Sequence, residues 1–426
     1  MRRSMPTEHS DQQMSFGWLE PNAHQMAAKA GRLVTSIRDY PPSSTLFLIS
    51  CGKHKAASPI RAADLYTSPR FRMSAAIANR LGQGFLILSA KHGLLPPDAI
   101  TEPYDFSLKF MTREEQLQWA HRVVADLKKI CGNDIDRIVL LADEDYVADL
   151  LPLLAETELQ VVDPLHGLFK AARLSFLKSC NRFLDRADAI RAMYKIFEDV
   201  VETASLPSLR DALQGPIPAQ GVYFFFDPDE HSRFSLKIPR LVRIGTHGVS
   251  VGSKATLRDR LRAHLGTGDG FGNHRSSVFR LHIGEALIRR GDLRSKYPQW
   301  GKGQNADKDV REQEKPLEQL VSEYISKLKV VTVQVIDKST KLSARSTIER
   351  LSIALFTEDF LPVEESSGDW LGAHSRHEVI ATSGLWNIRE VGTKADAKVL
   401  SLLQSRISSS LKRSSTLSRK DKCREP

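Results

Sequence analysis

The feature that most constrains the fold is an alternation of short apolar runs with amphipathic stretches in the first half of the chain. The runs TLFLIS, FLILSA and RIVLLA begin at Thr45, Phe85 and Arg137. Their apolar residues are nearly continuous, which is typical of strands buried on both faces of a sheet. Helical periodicity fills the intervals, over residues 71–81 and 114–130. This half is therefore predicted to be an α/β domain with a buried sheet.

A Pro/Gly cluster, GPIPAQG at residues 215–221, marks the start of a second domain. Two strands, GVYFFF and RLVRIGT, follow it. Helices are expected near residues 256–265, 278–289, 310–328 and 344–356, with the β-branched strand VVTVQVI before the last of them. We expect an α+β domain of this second half, so the whole chain belongs to the mixed α/β class.

These patterns predict five segments. They are an N-terminal arm (residues 1–44), the α/β domain (45–176), a helical connector (177–220), the second domain (221–404) and a basic, Ser-rich tail (405–426). The tail cannot build a core, so we expect it to be disordered. It either adds nonspecific affinity for DNA or has no role.

Composition narrows the class of protein. Lys and Arg number 61 against 51 Asp and Glu, and the net charge of +10 favours polyanionic partners, although an ordinary basic protein would show the same excess. No apolar run approaches the ~20 residues of a membrane-spanning helix, and none follows Met1 as in a signal peptide. The four cysteines lack C-x-x-C or zinc-site spacing. We expect a cytoplasmic protein without a membrane partner.

The second half carries six short motifs in a fixed order. GVY lies on its first strand and RIG on its second, and LRDRLRAH follows on a helix. GNHRSS, TIER and GLWN come later. Within these motifs stand the residues Tyr223, Arg243, Arg260, His264, His274, Glu349 and Asn387. The ordered set, with its strands and helices, resembles the GIY-YIG nuclease family and implies a small antiparallel sheet flanked by helices.

The resemblance also implies a divalent-metal-dependent endonuclease. Phosphodiester hydrolysis needs an activated water, neutralisation of charge at the phosphate, and help for the leaving oxygen. By resemblance, Glu349 is the ligand of Mg²⁺ or Mn²⁺ and Tyr223 is the general base. Arg260 can clamp phosphate oxygens beside His264, a possible acid one helical turn later. The further candidates are His274 and Asn387. Taken singly, each of these residues also has a purely structural explanation.

One departure from the family pattern concerns the base. The second tripeptide of the family begins with Tyr, whereas this chain has Arg243 there. Either His247 replaces the missing phenol as a proton acceptor, or the site is slowed. A third alternative is an inactive nuclease domain that only binds DNA.

Three strings stand out in the first half: ISCGKHK from Ile49, DLYTSPRF from Asp64, and ILSAKHGLLPPDAITEPYDFSL from Ile87. They resemble an uncharacterised family distantly related to the YaaA peroxide-stress proteins, whose members are implied to bind DNA. Ligands of open α/β sheets settle at the carboxyl ends of strands. We therefore expect one crevice, suited to phosphates and a flipped base, formed by Lys53, Lys55, Tyr66, Ser89, Lys91, His92 and Tyr104. Alternatively, these motifs only shape turns.

The two halves together predict a DNA-processing protein. The first domain would recognise an unusual base and the second would hydrolyse the phosphodiester, with bacterial defence against foreign DNA as the setting. In a sharper version the first domain is a DNA glycosylase and the second cuts the abasic site, although no motif supplies a catalytic Asp. An RNA-modifying enzyme is the alternative from a different class.

Overall fold

The computed structural model describes residues 23–38, 42–201, 206–267 and 271–407. The chain forms two compact units. Unit 1 comprises Met1–Leu33 and Asp39–Ser179, and unit 2 comprises Val34–Arg38 and Cys180–Pro426. The first half of the expected N-terminal arm, residues 1–22, and nearly all of the expected basic tail, residues 408–426, lie outside the described residues.

Helices make up most of the regular structure. They are α1 (Ala23–Arg38), α2 (Ala62–Leu65), α3 (Pro69–Leu81), α4 (Arg113–Cys131), α5 (Glu144–Val147), α6 (Leu150–Ala155), α7 (Lys170–Val201), α8 (Leu209–Ala212), α9 (Leu257–Leu265), α10 (Val278–Arg290), α11 (Lys308–Lys327), α12 (Ala344–Thr357), α13 (Glu378–Ser383) and a last helix over residues 398–407. In the described part of the chain, no helix is both long and apolar enough to cross a membrane.

The strands are shorter and fall into three sheets. They are β1 (Thr45–Ser50), β2 (Ile60–Arg61), β3 (Phe85–Ser89), β4 (Gly93–Leu95), β5 (Ile100–Thr101), β6 (Arg137–Leu141), β7 (Gln160–Val162), β8 (Gly221–Asp227), β9 (Arg240–Thr246) and β10 (Lys329–Gln334). The mixture of helices and strands confirms the predicted α/β class.

Unit 1 is built on a five-stranded sheet of order β4-β3-β1-β6-β7. Strands β1, β3, β6 and β7 run parallel, and β4 is antiparallel to β3. Every residue of β1, β3 and β6 is buried, as the continuous apolar runs require. The carboxyl ends of β1 and β3, at Ser50 and Ser89, therefore open onto the same edge of the sheet.

Unit 2 contains an antiparallel sheet of order β10-β8-β9. Helix α9 begins with a capping box in which Thr256 and Asp259 satisfy each other's backbone amides. The core beneath the sheet includes Phe225, Leu261 and Trp386. The sheet fixes the position of Tyr223 on β8, and helix α9 fixes that of Arg260 and His264.

The segment expected to be a connector, residues 177–220, contributes side chains to unit 2 from Cys180 onward. The Tyr194 hydroxyl donates to Glu364 at 2.7 Å and accepts the Leu241 amide at 2.8 Å. The ring of Phe197 lies 4.8 Å from that of Phe224. Any fragment that starts at Gly221 would lose these contacts.

Candidate functional site

The first and second tripeptides lie side by side in the sheet of unit 2. Tyr223 pairs with Gly245 across β8 and β9, and both are buried. A Cβ atom at Gly245 would lie 2.7 Å from Cε1 of the Tyr223 ring and closer still to its hydroxyl. Glycine is therefore required at position 245 because the phenol ring occupies the space of a side chain.

Replacing Gly245 with Ala should displace the phenol and destabilise unit 2. Overpacking of a buried contact costs about 1–3 kcal/mol, and we expect the variant to melt at a lower temperature. The matched control is Gly368→Ala, since a Cβ there meets nothing within 4 Å. Thermal unfolding followed by circular dichroism measures both variants, and equal melting temperatures would contradict the argument.

A buried histidine holds the phenol of Tyr223. His264 Nε2 lies 2.8 Å from the Tyr223 oxygen, and Nδ1 lies 2.9 Å from Oγ of Ser277, the residue that caps α10. Burial, followed by the charges of Arg260 and Arg243, lowers the pKa of His264 well below its usual value. The imidazole is therefore neutral at physiological pH and positions the phenol.

Arg243 lies where the family pattern has a tyrosine, and its guanidinium reaches the phenol from the other side. Its Nε donates to the Tyr223 oxygen at 3.4 Å, and Nη1 donates to the Trp386 carbonyl at 2.5 Å. The guanidinium carbon lies 4.4 Å from the centre of the Phe279 ring, which is a cation–π contact. Within β9, Arg243 alone is not buried.

Glu349, on α12, lies within the electrostatic reach of two arginines. Burial raises the pKa of its carboxyl, while the charge of Arg243, a hydrogen bond from the Thr246 amide and the charge of Arg260 act in the opposite direction. Neither arginine forms an ion pair with Glu349 in the described ranges. The site thus combines a half-buried carboxylate with two nearby cations that do not neutralise it by direct contact.

These residues fit one kind of metal site. Among the described residues there is no cluster of three or more His, Cys, Asp or Glu side chains suited to a metal ion. Mg²⁺, however, commonly keeps several waters and binds one or two carboxylates together with substrate phosphates. Glu349 could serve as that single carboxylate ligand, so the donor set fits an ion completed by DNA and water and does not fit an all-protein cage.

Asn387 has a structural position beside the site. Its side-chain amide bonds both backbone groups of Ile244, accepting from the nitrogen at 3.1 Å and donating to the oxygen at 2.8 Å. The Trp386 amide donates to the Val242 carbonyl at 2.7 Å. The GLWN turn therefore covers the outer edge of β9 and fixes the carbonyl that holds Arg243.

Neither His247 nor His274 contacts Tyr223 in the described ranges. His247 Nε2 contacts the guanidinium of Arg345 at 3.0 Å, and burial followed by the charge of Arg345 lowers its pKa to about 4. His274 bonds Glu318 through Nδ1 at 2.9 Å and stacks on Trp300 with 3.8 Å between ring centroids. His247 is therefore an unsuitable substitute for the missing phenol, and His274 is engaged by groups of the core.

In unit 1, six of the seven predicted crevice residues meet around Tyr104. Its hydroxyl contacts that of Tyr66 at 2.7 Å and Oγ of Ser89 at 2.8 Å. The ammonium of Lys55 lies 4.4 Å from the centre of the Tyr104 ring, and that of Lys91 lies 5.5 Å from it. The His92 ring is edge-on to the same ring, with 5.2 Å between the two centroids. Lys53 is exposed and has no contact with this group in the part of the chain that is described.

The sequence reasoning missed further members of this site, namely Arg70, Asp143 and Tyr146. The Cys51 thiol lies 3.1 Å from the hydroxyl of Tyr146. Arg70 pairs with Asp143 and donates to Oγ of Ser50 at 3.1 Å. Asp143 follows the third apolar run almost directly, and this signal could have identified it, since an acidic residue beyond a buried strand faces the ligand edge of the sheet.

Comparison with known proteins gives two family matches. Residues 184–413, more than half of the chain, match the GIY-YIG domain. Residues 46–179 match a family of unknown function, DUF6884. The chain is 30% identical over 117 residues to the uncharacterized protein YfjM of Bacillus subtilis strain 168, a match covering 26% of this chain and 77% of YfjM. Among solved structures, none matches significantly.

Proposed function

This chain belongs to the GIY-YIG family, and on that basis we propose that it is a divalent-metal-dependent endonuclease that cuts DNA. The family implies nuclease activity on nucleic acid. One observation supports the extension to an active enzyme: Tyr223, His264, Arg243, Arg260 and Glu349 interact within one site. The Glu349 carboxylate lies near Arg243 and Arg260 but forms an ion pair with neither of them among the described residues. An inactive domain that only binds DNA would gain nothing from such an unpaired, partly buried carboxylate.

Each side chain has a role in the proposed hydrolysis. With Ser277 donating to His264 Nδ1, the imidazole donates from Nε2 to the Tyr223 oxygen, and Arg243 is a second donor to the same oxygen. As a general base, Tyr223 acts in its deprotonated form, which takes a proton from the attacking water. The water oxygen bonds to phosphorus as the bond to the leaving oxygen breaks.

Arg260 and Glu349 act on the phosphate. Arg260 has no side-chain hydrogen bond or ion pair among the described residues, so its guanidinium is available to two phosphate oxygens. Glu349 would hold Mg²⁺ or Mn²⁺. When bound, the ion supplies Lewis-acid stabilisation of the charge that develops on the phosphate and leaving oxygens.

Unit 1 is proposed to select the DNA. Lys55 and Lys91 present positive charge around Tyr104, and the His92 ring lies edge-on beside it, which suits a phosphate backbone next to an unusual base. The proposed relation to YaaA proteins points the same way. Excision of that base and a setting in cytoplasmic defence against foreign DNA are further parts of this proposal. The free thiols of Cys51, Cys131 and Cys180 suit a reducing compartment.

Changing Lys91 and Tyr104 together to Ala should leave cleavage of plain DNA intact and remove any preference for modified DNA. The reason is that both residues belong to unit 1, whereas the metal-ligand candidate Glu349 belongs to unit 2. The measurement is the ratio of cleavage rates for plasmids with and without modified cytosines. The control is Lys53→Ala, which also removes one positive charge from unit 1. A double variant that keeps the wild-type ratio would place recognition elsewhere.

The activity itself is tested with purified full-length protein and supercoiled plasmid. We expect nicked or linear products in Mg²⁺ or Mn²⁺ and none in EDTA. Competition by an RNA duplex of equal length distinguishes a DNA enzyme from one that acts on RNA. Cleavage that is independent of metal, or no cleavage of any DNA, would contradict the proposed function.

A further inference from the structure

We propose that Arg243 binds the scissile phosphate jointly with Arg260, so that the nuclease site holds a DNA phosphate before any metal is present. The inference builds on the proposed function, since it concerns the same site. It assigns a binding role to the residue that departs from the family pattern.

The first step of the argument is the orientation of the guanidinium. Two of its three nitrogens are engaged, Nε by the Tyr223 oxygen and Nη1 by the Trp386 carbonyl. Nη2 has no hydrogen-bond partner within the described ranges, and it is not among the buried unpaired nitrogen atoms. The two contacts and the Phe279 ring therefore fix the fork of Arg243 while one donor nitrogen stays accessible.

The second step is the charge around that nitrogen. Arg260 is partly exposed and unpaired among the described residues, and it acts on the same two groups as Arg243, namely the His264 imidazole and the Glu349 carboxylate. Both arginines lie within electrostatic reach of one carboxylate without pairing with it, so an anion bound there would interact with both. A phosphodiester matches such a pair, because guanidinium groups donate to phosphate oxygens in a planar fork.

The third step is a comparison with the residue that the pattern replaces. A tyrosine at position 243 could donate one hydrogen bond but would add no positive charge. Arginine adds a permanent positive charge, because its guanidinium stays protonated in proteins. The substitution therefore moves part of the phosphate neutralisation from a metal ion to the polypeptide.

The test measures DNA binding in EDTA, where no cleavage occurs. Fluorescence anisotropy of a labelled duplex at several salt concentrations gives the slope of log K against log[salt], which changes by about 0.9 for each phosphate contact. Because the two arginines share one phosphate, we expect Arg243→Gln and Arg260→Gln each to lower the magnitude of the slope, and the double variant to lower it by about 0.9. The control is Arg262→Gln, an exposed arginine on the same helix as Arg260, which should leave the slope unchanged.

A second variant separates phosphate binding from packing. Arg243→Lys keeps the charge but loses the fork, so it should retain the wild-type slope while its cleavage rate falls. A wild-type slope in a folded Arg243→Gln variant overturns the inference, and so does a reduced slope in Arg243→Lys, because that result assigns the effect to structure.

Failure of the proposed function would look different. In that case the wild-type protein would not cleave DNA in any metal, whereas the slope change of Arg243→Gln could still be observed. Normal metal-dependent cleavage with no slope change in either arginine variant would remove the inference and keep the nuclease.

Discussion

Replacing Glu349 with Gln is expected to abolish metal-dependent cleavage while leaving DNA binding nearly intact. The amide keeps the shape of the side chain and removes the charge that a divalent ion requires. Loss of metal stabilisation worth about 4 kcal/mol corresponds to a rate reduction of ~10³-fold. Single-turnover cleavage of plasmid in Mg²⁺ measures the effect, and Glu365→Gln, an exposed carboxylate of the same unit, is the control.

The same residue makes a prediction about pH. Burial raises the pKa of the Glu349 carboxyl, so cleavage should fall as pH decreases through a value above the usual range for Glu. Ionisation of Glu349 supports cleavage but lowers the stability of the fold. A buried acid with a raised pKa destabilises the fold above its unfolded-state pKa, so Glu349→Gln should not melt below wild type at neutral pH. Undiminished cleavage by this variant would remove the assignment of Glu349 as metal ligand.

Replacing Tyr223 with Phe should reduce the cleavage rate by about 10²–10⁴-fold, the range expected for loss of a general base. It removes the oxygen shared by His264 and Arg243 and leaves a buried imidazole nitrogen without its partner, at a cost of about 1–3 kcal/mol. The rate of single-turnover cleavage at saturating DNA measures the chemical effect, and thermal unfolding measures the cost in stability.

The matched control for Tyr223→Phe is Tyr194→Phe. Tyr194 is also buried in unit 2 and also loses two hydrogen bonds, to Glu364 and Leu241, but it has no contact with the nuclease residues in the described part of the chain. We expect both variants to melt at a lower temperature and only Tyr223→Phe to lose activity. Equal losses of activity would assign the phenol at position 223 a purely structural role.

The motif spacing allowed part of the site to be predicted. Residues four apart on a helix share a face, so the shared environment of Arg260 and His264 follows from sequence alone. His274 shows where such reasoning ends. Its partners, Trp300 and Glu318, come from segments 26 and 44 residues later, and their arrival depends on tertiary packing that no local pattern encodes.

The same limit applies to unit 1 and to the division of the chain. The strand pattern predicted that Lys55, Ser89 and Tyr104 would gather, because the ends of buried strands meet at one edge. Arg70 lies in the DLYTSPRF string and Asp143 follows the third apolar run, but neither segment indicates that the two side chains pair. The predicted boundary between residues 176 and 177 falls inside helix α7, and the division near Ser179 depends on tertiary contacts that its continuous helical periodicity does not encode.

The close approach of Gly245 to the Tyr223 ring also bears on how such a site can diverge. Either residue is constrained only while the other is kept, so the two positions should change together in homologous sequences. A lineage that first exchanged the phenol for a small side chain would free position 245 to accept alanine or serine, and reversion would then be blocked. Glycine at position 245 would thus be a historical marker of a lineage in which the tyrosine has never been lost.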